Sequence, residues 1–219
     1  MRERPILFSG PMVRAILAGT KTQTRRAFKV QPPASTATID LWHHPDPRPH
    51  FWACDGGSLL DWAYPCPYGQ PGDRLWVRES FMDLQGTGVE HYDSDRRRQR
   101  YAFAADCPAG SYSDEARKDY GLKWKPSIHM PRAACRIVLE IERIRVERLQ
   151  AINEMDARAE GAAYHDGRSV GHSGWRHDLG DVHADARSAF ARLWNDINGA
   201  GAWDANPWVW VVEFRRVAP

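Results

Sequence analysis

The order of apolar and polar positions near the N-terminus predicts a strand, a helix and a second strand in close succession. Ile6 to Phe8 form a short apolar run, and a turn leads from it into a segment in which Met12 and Ile16 share one helical face. Pro11 suits the first turn of this helix because its missing N–H would have no partner there. Gly19 suits the left-handed position that ends a helix. We therefore expect a short helix that docks by its apolar face.

The remainder of the chain carries further strand and helix patterns separated by turn residues. Strands are predicted at 22–26, 74–84, 101–105, 137–142 and 208–217, and helices at 152–161 and 183–198. In the first of these helices Asn153 is the expected N-cap, Met155 is expected to pack, and Gly161 ends the helix. The apolar pattern of the strand at 137–142 continues at Ile144 and Val146 after an expected bend.

Three long segments lie between these elements, and we interpret residues 1–219 as a single domain with insertions at about 30–70, 85–123 and 162–182. The first insertion is rich in proline, which disfavours regular ladders, but its apolar residues, such as Phe51, predict that it packs back on the domain. The second is polar and is expected to be a long hairpin. The third is rich in glycine and histidine and is a candidate for a loop that closes over a substrate.

Composition narrows the classes of function. The formal net charge is +2, so contact with nucleic acid would have to come from a local basic face. No apolar stretch approaches the roughly twenty residues of a membrane span, and the N-terminus lacks a signal-peptide core, so we expect a cytoplasmic protein without membrane contact. The four cysteines form no C-x-x-C pair. His43, His44, His50, Cys54 and Cys66 match no standard metal-ligand spacing, and we predict no metal and no cofactor.

Lys21 and Thr24 are the two residues whose side chains could carry out a reaction. Alternation along 22–26 puts Thr24 and Arg26 on one strand face, whereas Lys21 has the wrong parity and must reach Thr24 from the turn after Gly19. A lysine made neutral by partial burial can accept the proton of a threonine hydroxyl, which makes the pair a candidate base and nucleophile. These two residues by themselves also fit a solvated lysine and a strand-forming threonine.

The same region resembles a known family. Gly19, Lys21 and Arg26 fit the G-x-K-x-x-E-x-R signature of ASCH domains, which are similar in fold to PUA RNA-binding domains. Thr24 stands where many members have glutamate, and lysine followed three residues later by threonine resembles the bacterial N(4)-acetylcytidine amidohydrolases. Gly72–Val77 resembles the family's G-D-x-L-x-V strand, and the last strand ends like its V-x-E-F pattern. The resemblance covers about half of the chain. It implies an α+β fold, a partly closed PUA-like mixed β-barrel with about three flanking helices.

The resemblance also implies a reaction and a third catalytic residue. In those amidohydrolases the third group is a glutamate immediately before the end of a helix, and Glu160 matches it. Lys21 would deprotonate Thr24, Thr24 would attack the acyl carbonyl of N(4)-acetylcytidine, and Glu160 would protonate the leaving nitrogen. Backbone N–H groups near Gly19 would steady the oxyanion. A carboxylate at the C-terminal end of a helix is not stabilised by the helix dipole, which suits a general acid.

Further residues are candidates for substrate contacts or site charges. The candidates for substrate contacts are Phe8, Ser9, Arg26, Ser127, His129 and Arg132. The last three belong to a loop bracketed by prolines, which is suited to holding polar groups over a pocket. Glu79 faces inward on its predicted strand, where a salt bridge with an arginine is its expected role.

Two alternatives to hydrolysis remain open. The first is a non-catalytic RNA- or nucleotide-binding module, in which Lys21, Arg25 and Arg26 contact phosphates and an aromatic ring receives a base. The second is a ribonuclease, which ASCH relatives also suggest. The expected partner is accordingly a modified nucleoside or RNA, and the sequence leaves the oligomeric state open.

Overall fold

The computed structural model describes residues 1–42, 50–55, 58–89, 91–93, 95–167, 173–177 and 180–218, with the backbone alone for 42, 50 and 58–64. The strands are β1 (Glu3–Leu7), β2 (Gln23–Ala27), β3 (Thr38–Trp42), β4 (His50–Asp55), β5 (Ser58–Pro65), β6 (Arg74–Arg78), β7 (Phe81–Asp83), β8 (His91–Tyr92), β9 (Arg98–Gln99), β10 (Tyr101–Phe103), β11 (Val138–Arg148), β12 (Ala163–His165), β13 (Gly174–Arg176) and β14 (Trp208–Val217). The helices are α1 (Gly10–Leu17), α2 (Tyr112–Asp119), α3 (Glu154–Ala159) and α4 (Ala186–Asn198). Within the described ranges, none of these helices combines the length and the apolar character needed to cross a bilayer.

The main sheet has five strands in the order β1-β6-β11-β14-β2. β1 runs parallel to β6, and the other neighbouring pairs are antiparallel. The protein is therefore α+β, as expected. The main sheet is not closed, with β1 and β2 as its edges, and the predicted PUA-like barrel is not confirmed. The backbone just before β2 pairs instead with the end of α3, where the Thr22 N–H donates to the Ala159 carbonyl (2.8 Å).

The first five residues of the last strand, β14, are all apolar because both of its faces are covered. Val212 and Phe214 on one face belong to a core cluster that includes residues of α1. Val209 and Val211 on the other face pack with Phe190 of α4 and with residues around α3. Side chains alternate between the two faces of a strand, so a strand covered on both sides has no reason to alternate in polarity. The strand was predicted with these bounds, and the prediction is confirmed.

The first insertion contains regular structure that was not predicted. β3, β4 and β5 form an antiparallel three-stranded sheet, so the expectation that prolines prevent a ladder here was wrong. The reason is placement, because these three strands contain one proline, Pro65, at the end of β5. The prediction that the segment packs back on the domain is confirmed by Phe51, whose ring centroid lies 5.0 Å from that of Trp210.

Two details of the helices and strands follow from local chemistry. A bulge in β11 between Ile141 and Arg143 shifts the register against β14, and this is the bend expected before Ile144. In α3 Asn153 caps the helix, as predicted, by accepting from the Asp156 N–H. Met155 is 78% exposed, so the prediction that it packs was wrong.

The second insertion matches the predicted hairpin in part. β10 pairs with β7, as expected for the strand-like segment at 101–105. Helix α2 was not predicted, although Ser111 caps it by accepting from the Asp114 N–H, a signal present in the sequence.

The predicted strand at 74–84 is interrupted at Glu79, whose carboxylate accepts from Nε and Nη2 of Arg136 at 2.9 and 3.0 Å. The expected salt bridge of Glu79 is thus confirmed.

Candidate active site

Lys21 and Glu160 are far apart in the sequence but form a buried ion pair. The Lys21 ammonium donates to Oε2 of Glu160 at 2.8 Å and to the backbone carbonyl of Glu160 at 2.9 Å. The two residues are 2% and 3% exposed. Lys21 follows the turn at Gly19 (φ 75°) that ends α1, and Glu160 ends α3 directly before Gly161 (φ 104°). The structure therefore brings together the two residues that the family resemblance pairs.

Arg25 extends this pair into a network of charges beneath the main sheet. Its Nη1 contacts Oε1 of Glu160 at 3.2 Å, and its Nη2 contacts Glu147 at 2.5 Å and Asp156 at 3.1 Å. Arg145 contacts Asp156 at 2.8 Å on the far side. The carboxylate of Glu160 is consequently held between two cations, one on each oxygen. The sequence offered Arg25 as a possible phosphate contact and did not indicate these partners.

Burial changes the proton affinity of Lys21. Loss of solvation lowers the pKa of its ammonium, and the adjacent Glu160 carboxylate offsets part of that change. Repulsion from Arg26 and Arg25 lowers the pKa of Lys21 further. A lysine general base needs a depressed pKa to exist as a neutral amine near neutral pH, so the environment of Lys21 suits that role.

Two adjoining cavities meet at Glu160. The larger has a volume of about 620 Å³ and lies between α1, α4 and the hairpin of β12 and β13. The smaller has a volume of about 60 Å³, room for a few water-sized groups, and is lined by Thr24, Arg26 and Glu160 among others. Both cavities share Met12 and Ile197 in their walls. Thr24, which lines the smaller cavity, is 2% exposed.

The candidate substrate contacts near the N-terminus lie close to the site. Ser9 lines the larger cavity and Arg26 the smaller. Arg26 is already engaged, because its Nη2 donates to the Leu7 carbonyl at 2.6 Å and its guanidinium lies 5.3 Å from the ring centroid of Phe8. Phe8 is buried in the core, and its ring centroid also lies 5.7 Å from Nζ of Lys21. The Phe8 ring contacts both cations, and Phe8 is not among the described residues that line either cavity.

The candidates from the proline-bracketed loop are not brought to either cavity. Ser127 and His129 lie in one 3-10 turn and Arg132 in the next, as the rigid loop prediction required. Arg132 pairs with Glu3 of the edge strand β1 at 3.0 Å. Among the described residues that line the two cavities, none comes from this loop.

The backbone donors after α1 are also already used. The N–H groups of Thr20 and Lys21 both donate to the Ala15 carbonyl, and the Gly19 N–H donates to the Ile16 carbonyl. These bonds close the end of the helix. The N–H groups near Gly19, which were expected to stabilise an oxyanion, are therefore already bonded. An oxyanion at the site would need other hydrogen-bond donors.

Three residues of the third insertion line the larger cavity and were not singled out from the sequence. His165 of β12, Arg176 of β13 and His177 line the same cavity as Glu160. Burial lowers the pKa of His177 to about 4, with smaller contributions from the positive charges of Lys21 and His183. The glycine- and histidine-rich composition was the available signal, but no periodicity there indicates which side chains point inward.

Comparisons with known proteins do not add to this geometry. Neither the scan of protein-family models, nor the search of curated proteins, nor the search of solved structures found a match. Membership of the ASCH family therefore stays a prediction from the motif residues.

Within the part of the chain that the structure describes, no group of three or more potential ligands is arranged to hold a metal ion. His43 and His44 lie outside the described residues.

The low pKa of His177 predicts a loss of stability in acid. The unfolded chain takes up a proton near pH 6.5 and the folded chain only near pH 4, so the unfolded state binds more protons between these values. As the pH falls from 6.5 to 4, this group should lower the free energy of unfolding by about 2–3 kcal/mol. Urea denaturation of the wild type and His177→Gln across this range measures the difference.

The variant His177→Gln should show a flatter pH dependence than the wild type by that amount. His129→Gln, which removes an exposed histidine, is the matched control and should keep the wild-type profile. Parallel profiles for the wild type and His177→Gln would contradict the prediction.

Gly161 is required by the backbone that places Glu160. Its φ of 104° is unfavourable for other residues, and an added Cβ would lie 3.1 Å from Cβ of Ala15 and 3.4 Å from Cβ of Lys21. We expect Gly161→Ala to lower the free energy of unfolding by about 1–2 kcal/mol. The control is Gly10→Ala at the start of α1, where the new Cβ would make contacts of 3.6 Å and longer. Equal stability of the two variants in urea would contradict this account.

Proposed function

We propose that the protein is an amidohydrolase that removes a small acyl group from an N-acylated nucleoside, with N(4)-acetylcytidine as the best candidate. The observation that carries the proposal is the 2.8 Å contact of the Lys21 ammonium with the carboxylate of Glu160, a residue that lines the smaller cavity together with Thr24. Acyl transfer through a threonine requires an amine of lowered pKa, a hydroxyl and a carboxylate. Here the amine is bound to the carboxylate, and the carboxylate and the hydroxyl line one cavity.

Lys21 and Glu160 share one proton, which can be bound to either residue. When Glu160 holds it, Lys21 is a neutral amine that accepts the Thr24 proton as the Thr24 oxygen forms a bond to the acyl carbon. The carbon–nitrogen bond of the amide then breaks, and the Glu160 proton passes to the leaving exocyclic nitrogen. Water attacks the acyl-threonine ester, which releases the carboxylic acid and restores the hydroxyl. The proton shared by Lys21 and Glu160 moves along their 2.8 Å contact.

The shapes of the two cavities support a small acyl group on a larger leaving group. The smaller cavity, beside Thr24, has room for a few non-hydrogen atoms, which suits an acetyl group. The larger cavity falls in the size range of pockets for ligands the size of a nucleoside. Glu160 lies in the wall of both, where a leaving nitrogen between acyl group and base would be.

The test is release of acetate and cytidine in equal amounts from N(4)-acetylcytidine, followed by NMR and by the change in cytidine absorbance. RNA carrying the same modification and unmodified RNA are incubated in parallel. Chain cleavage without loss of acetyl groups would replace the proposal with a ribonuclease, and salt-sensitive RNA binding without any product would replace it with a binding module.

The charges near the motif weigh against the binding module. Lys21 and Arg25 are almost fully buried and paired with carboxylates, so they would contact phosphates only after these ion pairs opened. A PUA-like, ASCH-type relationship and a cytoplasmic location accompany the hydrolase proposal as expectations from the sequence.

A further inference from the structure

Arg176 is a buried cation in the wall of the larger cavity, and none of the described residues supplies a counter-charge to it. The residue is 8% exposed, and its Nε has no hydrogen-bond partner among the described residues. Its Nη2 lies 3.1 Å from Nδ1 of His165, which must be the acceptor because a guanidinium only donates. No described carboxylate lies within ion-pair distance of it, unlike Lys21 and Arg25. Burying an unpaired guanidinium costs desolvation free energy, which a bound anion would offset.

The surroundings of Arg176 favour an anion with several oxygen atoms. Nε2 of His177 is likewise buried without a partner among the described residues, and His165, which accepts at Nδ1, carries its ring proton on Nε2. Glu160 is the acid in the described lining, and its charge is matched by the contacts to Lys21 and Arg25. Among the described lining residues, the unmatched charge is therefore positive.

We propose that the larger cavity binds the phosphate of a nucleotide-sized ligand through Arg176. The substrate of the proposed hydrolase would then be an acylated nucleoside phosphate and not the free nucleoside, an inference that rests on the proposed function for its nucleoside part. A phosphate offers three acceptor oxygens to the planar donors of an arginine, which makes it a better partner than a single neutral hydroxyl. Because Arg176 and Glu160 line one cavity of about 620 Å³, a single ligand can contact both.

Calorimetric titration of the full chain with cytidine, cytidine 5′-monophosphate and inorganic phosphate tests the proposal. The nucleotide should bind about 10- to 100-fold more tightly than the nucleoside, as expected for a charge-assisted contact, and inorganic phosphate should compete with it. Arg176→Met should bring the ratio of the two affinities close to one, and Arg176→Lys should leave an intermediate ratio. The control Arg192→Met, which changes an exposed arginine of α4, should keep the wild-type ratio.

Equal affinity for nucleoside and nucleotide, no binding of either, or a wild-type ratio in Arg176→Met would each overturn the proposal. If Arg176→Met does not fold, as judged by circular dichroism, an undiminished ratio in Arg176→Lys would do the same. Hydrolysis distinguishes this proposal from the previous one. Nucleotide binding without acetate release would remove the hydrolase and keep the phosphate site, whereas equal kcat/KM for acetylcytidine and its 5′-phosphate would remove the phosphate site alone.

Discussion

Thr24→Val is expected to lower kcat/KM for amide hydrolysis by about 10³-fold or more, since loss of a catalytic nucleophile has effects of this size or larger. Valine matches threonine in shape but lacks the hydroxyl, so the attacking oxygen is removed while the volume beside the smaller cavity stays the same. Steady-state release of acetate from N(4)-acetylcytidine measures the loss, and trapping of an acyl group on the wild-type chain by mass spectrometry locates the ester.

The matched control for this variant is Thr22→Val. Thr22 lies two residues earlier, is exposed, and is not among the described residues that line either cavity. Both variants should retain thermal unfolding close to that of the wild type, because neither creates a cavity or a buried charge. A Thr24→Val protein that hydrolyses the substrate at the wild-type rate would remove the proposed nucleophile.

Glu160→Ala is expected to lower the free energy of unfolding by about 3–5 kcal/mol, the usual cost of breaking a buried ion pair from one side. The substitution leaves the Lys21 ammonium, 1% exposed, without its carboxylate, and it removes one of the three acidic partners of Arg25. Uncompensated charge in a desolvated site costs more than the net contribution of the intact pair. Urea denaturation at neutral pH measures this loss.

The double variant Lys21→Met with Glu160→Leu should recover much of the lost stability, because apolar residues can replace a buried pair at little cost. The surface control is Arg192→Ala, which breaks an exposed pair with Asp196 and should change stability by about 0.5 kcal/mol or less. A Glu160→Ala protein as stable as the wild type would show that the pair is not buried in solution.

This stability cost determines how the activity of Glu160 variants is interpreted. An inactive Glu160→Ala protein has lost an acid and also part of the support for Arg25 and Lys21. Glu160→Gln is the sharper variant, because its amide oxygen can still accept from Lys21 while it cannot supply the carboxylic proton. Activity of this variant at the wild-type level, with the fold intact, would exclude Glu160 as the general acid.

Much of the local structure could be predicted because it depends on residues that are close along the chain. Gly19 follows the C-terminal end of α1, Asn153 caps α3, and β14 occupies a strongly β-forming segment. The reasons for each are contained within a few residues. Helix α2 has a cap of the same kind, at Ser111, and was missed because its polar composition resembled a loop.

The sequence alone determined which side chains had the chemistry for a reaction. An amine at Lys21, a hydroxyl at Thr24 and a carboxylate at Glu160 could be selected because residue type fixes what each group can donate or accept, and because the motif spacing resembled a family. Only the tertiary structure decided their partners. The contact between Lys21 and Glu160 spans 139 positions, and the unmatched charge of Arg176 depends on which carboxylates are absent around it among the described residues. Long-range packing sets burial and charge pairing, and no local pattern records either.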